Sequence, residues 1–169
     1  MSPTEQRDLA ISLARRRPTE ALLLARQVKD PWFRAQALSW VARFTDGDPV
    51  FIAAEAANAA NQSDDNYKKC AVRAWEIAAL AERDRIQQAR NHLREILNAT
   101  QNVEPASSRG EALLLLLQAG LKIAHEDAVN VFKVMEASCQ PKEHWRCKRA
   151  LRDGAKLISG DIPSRPFFW

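Results

Sequence analysis

Glycine is scarce in this chain, with five residues in 169 and no two of them close together. A glycine-rich loop that could cradle phosphate oxygens is therefore missing, which removes that route to nucleotide binding. There is a single tyrosine, the β-branched residues are few and scattered, and no alternating apolar run is long enough to argue for a sheet. The three cysteines, Cys70, Cys139 and Cys147, do not make an even disulfide framework. The three histidines, His92, His125 and His144, are scattered, and none sits in a recognisable nucleophile motif. Long apolar runs are missing as well. The leucine run Leu113–Leu117 falls far short of the roughly 20 apolar residues that cross a bilayer. The first apolar stretch, Leu9 to Ala14, is interrupted by Ser12 and flanked by Arg7, Asp8 and three arginines, unlike a secretory signal. These gaps together lead to the expectation of a soluble cytoplasmic protein that is not an enzyme and carries no cofactor and no metal.

Ala, Leu and Arg are abundant, and all three are strong helix formers. The length is that of one domain able to bury a sizeable core. An all-α fold follows. Charge is unevenly spread: residues 1–45 carry eight basic and four acidic side chains, residues 46–66 carry five acids and no Lys or Arg, and residues 142–169 carry seven basic and three acidic. Such asymmetry marks either a partner surface or solvated helix faces.

Capping signals divide the chain into nine helices. Ser2-Pro3-Thr4-Glu5 reads as a capping box opening a helix to about Arg16. Pro18 opens the next, to Lys29, and Asp30-Pro31 the third, to Phe44. Thr45–Pro49 is a break, after which Asp48 caps a helix to Asn61. Ser63 or Asp64 is expected to cap a long helix to Arg83, and Asp84 to begin another, to Ala99. Ser107 or Ser108 caps the leucine-rich helix to Ala124; Glu126–Ser138 and Pro141–Ser159 follow, and Gly160 ends the last. Residues 1–160 then form one helical-repeat domain, and 161–169, with two prolines, an extended tail.

The pairs Ala37-Leu38, Ala74-Trp75, Ala112-Leu113 and Ala150-Leu151 recur 37 or 38 residues apart. A small residue followed by a large apolar one at a fixed period near 40 indicates stacked helical hairpins. Here they form one leading helix and four A/B pairs, with the small residue letting neighbouring B helices approach and the large one filling the groove. Ala42, Ala79, Leu117 and Ala155 extend the register. Residues Pro18 to Ala42, with Ala21, Ala25, Val28, Asp30, Arg34, Ala37, Leu38, Val41 and Ala42, spell a bacterial helical-repeat string. On these residues the chain resembles the tetratricopeptide-like α-α superhelix class, although its period exceeds that repeat's roughly 34 residues and the Trp…Leu-Gly…Tyr signature is missing. The resemblance implies a right-handed solenoid of about four hairpins, in a bacterial-type cytoplasm, that acts as a protein-binding scaffold.

Candidate site residues follow from that frame. Arg34, Trp40, Arg73 and Arg109 are expected to line a concave groove and to hold an acidic or extended protein partner through charge-assisted hydrogen bonds and apolar anchoring. Trp32 and Trp145 share one repeat position, and Trp75 takes the Leu38 position in the core. Phe167, Phe168 and Trp169 are too apolar to leave in water, each being worth about 1.5–3 kcal/mol when buried. They are expected to cap the last hairpin of their own chain, with a partner protein or a second copy as the alternatives; a membrane surface is set aside because no amphipathic helix accompanies them. Lys142, Arg146, Arg149 and Arg152 share one helix face and carry the alternative reading, nucleic-acid binding. Cys139, His144 and Cys147 have a metal-like spacing but no paired Cys-x2-Cys, so Cys147 is read as packing inward and His144 as solvent-facing.

Overall fold

The computed structural model describes residues 1–139 and 144–168. Among them there are helices and turns and no strand. The α-helices are α1 (Pro3–Ala14), α2 (Pro18–Gln27), α3 (Pro31–Phe44), α4 (Pro49–Asn61), α5 (Asn66–Ala71), α6 (Arg73–Glu82), α7 (Ile86–Ala99), α8 (Ala106–Ile123), α9 (His125–Ser138) and α10 (Trp145–Ser159). A 3-10 turn, Thr100–Asn102, lies between α7 and α8.

Local chemistry accounts for most of these boundaries. In α1 the Ser2 hydroxyl accepts from the Glu5 amide, and the Glu5 carboxylate accepts from the Ser2 amide, so two orphan amides are satisfied reciprocally. Prolines open α1 to α4, where a missing N–H costs nothing. Asp30 caps α3 and Asp48 caps α4.

Four boundaries differ from expectation. The cap of α5 is Asp65, because Ser63 is buried and Asp64 turns instead to the Lys68 ammonium at 2.8 Å. The expected single rod is interrupted at Val72 by a tightened i→i+3 bond from Trp75 to Val72, so that α5 and α6 are two segments. Asp84 ends α6 rather than opening α7. It sits at φ +56°, its amide donates to Ala81 and the Arg85 amide to Leu80, which is a Schellman stop built on a residue that tolerates the left-handed region. Ser107 is buried inside α8, which starts at Ala106. The expected start of the last helix at Pro141 lies outside the described residues. The same Schellman stop closes α10, with Gly160 at φ +82°.

Consecutive helices pack side by side, α1 on α2, α3 on α4, α6 on α7 and α8 on α9. In addition α1, α3, α6, α8 and α10 pack each on the next. The small-large pairs sit in this second set of contacts: Ala37, Ala74, Ala112 and Ala150 are all fully buried, and Leu38, Trp75 and Leu113 nearly so. A larger residue at any of the four alanines would overpack, at a cost of about 1–3 kcal/mol. Gly120 lets two backbones come together, since a Cβ there would stand 3.1 Å from the Ala128 backbone of α9.

Bidentate or paired Arg–carboxylate bridges cross from one hairpin to the next. Arg26 of α2 holds Glu55 of α4 at 2.6 and 2.8 Å, Arg43 of α3 holds Glu82 of α6 at 2.6 and 2.9 Å, and Arg90 of α7 holds Asp127 of α9 at 2.8 Å twice. Arg149 of α10 pairs with Glu111 of α8. Planar two-point pairing fixes relative orientation as well as distance.

Candidate functional site

The arginines expected to line a groove are internal ties. Arg34 donates to the Val28 carbonyl at 3.0 Å and to the Gln62 side chain. Arg109 stands at the matching repeat position and does the same work: it donates to the Val103 carbonyl at 3.2 Å, the Ser138 carbonyl at 2.7 Å and Glu104 at 3.2 Å. Each guanidinium thus satisfies a carbonyl six residues upstream and reaches about 28 residues ahead, to the end of the next A helix or just past it. Carbonyls left over at helix ends carry partial negative charge, so a cation is drawn there rather than outward.

Arg73 is more deeply enclosed, at 1% exposure, and ion-pairs with Glu76, which has none. Glu95 approaches Arg73 at 3.5 Å, and His92 Nδ1 lies 2.9 Å from Glu76. Burial opposes the Arg73 charge, and Glu76 and Glu95 outweigh it, holding its pKa above the ordinary value. Among the described residues Arg73 Nη2 and Glu76 Oε2 have no hydrogen-bond partner. Arg34, Arg73 and Arg109, expected to face a partner, are thus each engaged within the chain, by helix-end carbonyls, the Gln62 side chain or a buried carboxylate.

Trp40 is buried and lies under the C-terminal segment. The segment after α10 runs back across α8, α6 and α3. The Lys122 ammonium is 3.4 Å from the Ser164 hydroxyl, and the Arg165 amide donates to Gln118 Oε1 at 2.8 Å. The Trp75 indole N–H donates to the Phe167 carbonyl at 3.1 Å, across a separation of 92 residues. Phe167 is 2% exposed and meets Trp75 edge-on at 5.5 Å. Phe168 meets the Trp40 ring edge-on at 5.3 Å. The Arg43 guanidinium, held by Glu82, lies 4.1 Å over the Phe168 ring and 4.7 Å over Trp40. Edge-on aromatic pairs are worth about 0.5–1.5 kcal/mol each beyond their area, and a desolvated cation over a ring about 2 kcal/mol. The aromatics were expected on the last hairpin; Phe167 and Phe168 lie instead on α6 and α3, because the two tryptophans and the stacked Arg43 are there. Trp169 lies outside the described residues. A cavity of about 340 Å³ remains beside the two phenylalanines, lined by Arg43, Ala78, Glu82, Lys122 and Pro166 among others.

On α10, Arg146 and Arg149 stand 5.4 and 5.1 Å from the Trp145 ring, which is 60% exposed. Arg149 pairs with Glu111 and Arg152 with Asp153, so two of the proposed phosphate contacts already face acids. Lys142 lies outside the described residues. Cys139 and Cys147 are fully buried, whereas His144 is exposed and caps α10 by accepting the Arg146 amide at 3.2 Å. Burial, with the neighbouring Cys147 thiol, pushes Cys139 up to about 12, so the Cys139 thiol stays protonated at neutral pH.

Sequence reasoning missed Arg43, Trp75 and Gln118 as groove residues. The available signal was the spacing of Trp40 and Arg43, one helical turn apart, together with two adjacent aromatics far downstream that needed cover. No protein-family model, no curated protein and no solved structure matches this chain.

Proposed function

We propose that this protein is a non-enzymatic helical-repeat interaction module, built as a right-handed tetratricopeptide-like superhelix, whose groove across α3, α6 and α8 holds an extended polypeptide. The every-other-helix packing and the equivalent ties made by Arg34 and Arg109 support the repeat architecture. The observation that carries the function is the bound segment itself. Gln118 and Trp75 hydrogen-bond its backbone two residues apart, while Trp75, Trp40 and Arg43 take its side chains. Backbone bonds hold any extended chain and side-chain pockets choose among them, which is how grooves recognise peptides.

Selection from displayed random peptides tests this, using the full chain with Phe167→Ala and Phe168→Ala as bait. Binders are expected, and they lose affinity for the same bait carrying Arg43→Glu, with helicity checked by circular dichroism. Recovery of no binder, or of binders indifferent to Arg43→Glu, would remove the groove from the account. The exposed Trp145 ring between Arg146 and Arg149 supports a second reading, single-stranded nucleic acid on α10, where stacking and charge would act together. A salt series decides it, and no binding at low salt ends it.

A further inference from the structure

We infer that residues 161–168 are an intramolecular competitor that closes the groove, and that the partner they exclude is an extended segment with a basic residue, a proline and two successive aromatics. The inference rests on reading the groove as a polypeptide site.

The segment is held as a ligand is held. None of the contacts described for Ser164, Arg165, Phe167 and Phe168 comes from α10, the helix it leaves; they come from Lys122 and Gln118 of α8, Trp75 of α6, and Trp40 and Arg43 of α3. The reversal needed to reach them is made at Gly160, in the left-handed region that glycine enters without strain. Pro166 restricts Arg165 to extended backbone, so the stretch between the two backbone-directed hydrogen bonds is preset for the groove. The Arg165 guanidinium lies 5.6 Å from the Trp75 ring, and the next two aromatics fill the faces of Trp75 and Trp40. Basic residue, proline, aromatic, aromatic is therefore the order the groove reads.

Two features leave room for a better occupant. The cavity of about 340 Å³ beside Phe167 and Phe168 is space the segment does not fill. At the Ser164 position the Lys122 ammonium meets a neutral hydroxyl at 3.4 Å, where a carboxylate would form a shorter, charge-assisted bond. A partner with Asp or Glu two residues before its proline would gain there what the internal segment lacks.

Tethering gives the internal segment its advantage. A short linker supplies an effective concentration on the order of millimolar, so a competitor with an intrinsic Kd of tens of micromolar is weakened roughly 10–100-fold.

The probe is a labelled synthetic peptide with the sequence of residues 162–169, titrated by fluorescence anisotropy into the full chain and into the full chain carrying Phe167→Ala and Phe168→Ala. The double variant is expected to bind roughly 10–100-fold more tightly. A peptide with Glu in place of the Ser164 equivalent is expected to bind more tightly still, and to lose that gain with Lys122→Ala. Equal affinity for wild type and double variant overturns the closure while the groove reading stands; no binding to either overturns both. Should the double variant lose helicity, a flexible Gly/Ser insertion of about 20 residues after Ile162 leaves the α10 stop and the contacts of Ser164 to Phe168 in place and dilutes the tether. Binding several-fold tighter than wild type then supports closure, and unchanged affinity overturns it. A wild-type dimer that the double variant lacks, seen by sedimentation, would place the segment in a second copy and overturn the intramolecular form.

Discussion

Trp32 and Trp145 occupy the same position in the first and fourth copies of one pattern, and their surroundings are opposite. Trp32, at the start of α3, is stacked on Tyr67 of α5 at 6.4 Å and met edge-on by Trp75 of α6 at 5.8 Å. Trp145, at the start of α10, has only His144, Arg146 and Arg149 described beside it and is 60% exposed. Arg73 and Arg149 repeat the contrast. They too share a repeat position, yet Arg73 is 1% exposed and Arg149 is 41% exposed. In both cases the residue type and its place in the repeat are the same, and burial follows the neighbours: α5 and α6 cover Trp32, and Glu76 and α7 enclose Arg73. In a stack, half of each residue's environment belongs to the neighbour.

Four substitutions and one titration can break or sharpen that contrast. The largest effect is expected from Arg73→Met, which leaves the Glu76 carboxylate buried without its cation; chemical denaturation should show a loss of about 3–5 kcal/mol. Arg149→Met at the matching position should cost about 1 kcal/mol or less, since its ion pair with Glu111 is partly solvated. Comparable losses for the two would mean that burial of the pair is not what matters. Trp32→Ala follows, at about 2 kcal/mol, because a half-buried ring gives up two aromatic neighbours. Trp145→Ala should stay within about 0.5 kcal/mol in thermal or urea melts. A large loss there would show that the α10 surface is covered in solution.

The titration concerns the position that Arg34 and Arg109 fill in their repeats. In α10 that position is Cys147, beside Cys139. An unfolded thiol titrates near about 8.5, whereas folding raises Cys139 to about 12. The folded state therefore holds its proton more tightly, and this stabilisation is complete below the unfolded value and declines as pH rises toward the folded one. Calorimetric Tm values between neutral and strongly alkaline pH should fall more steeply for wild type than for Cys139→Ala. Parallel slopes would show that the thiol carries none of the alkaline sensitivity.

The helices themselves were legible because their determinants are local. Ser2 and Glu5, Asp30 and Asp48, and the prolines at first helical positions act within a few residues of where they stand. The buried Ala37, Ala74, Ala112 and Ala150 were legible too, through their spacing. Asp84 was misread as a start because an aspartate caps helix N-termini and also accepts the left-handed conformation of a C-terminal stop; only the hydrogen bonds to Leu80 and Ala81 separate the two. The internal ties of Arg34 and Arg109 were not legible, because an arginine near a helix start looks the same whether it meets a partner's carboxylate or its own chain's carbonyls. Phe167 could be seen to need cover, but its cover comes from Trp75, 92 residues earlier.

The sequence alone thus determined that the chain is helical, where most helices begin and end, and that an alanine-marked face recurs, since those properties depend on residues within a turn or two of one another. Which arginines are consumed inside, which tryptophan stays in water, and which groove receives Phe167 and Phe168 were decided by tertiary structure alone. Those outcomes depend on groups brought together from distant hairpins, and a side chain's free energy is set by the neighbour it meets, not by its own place in the repeat.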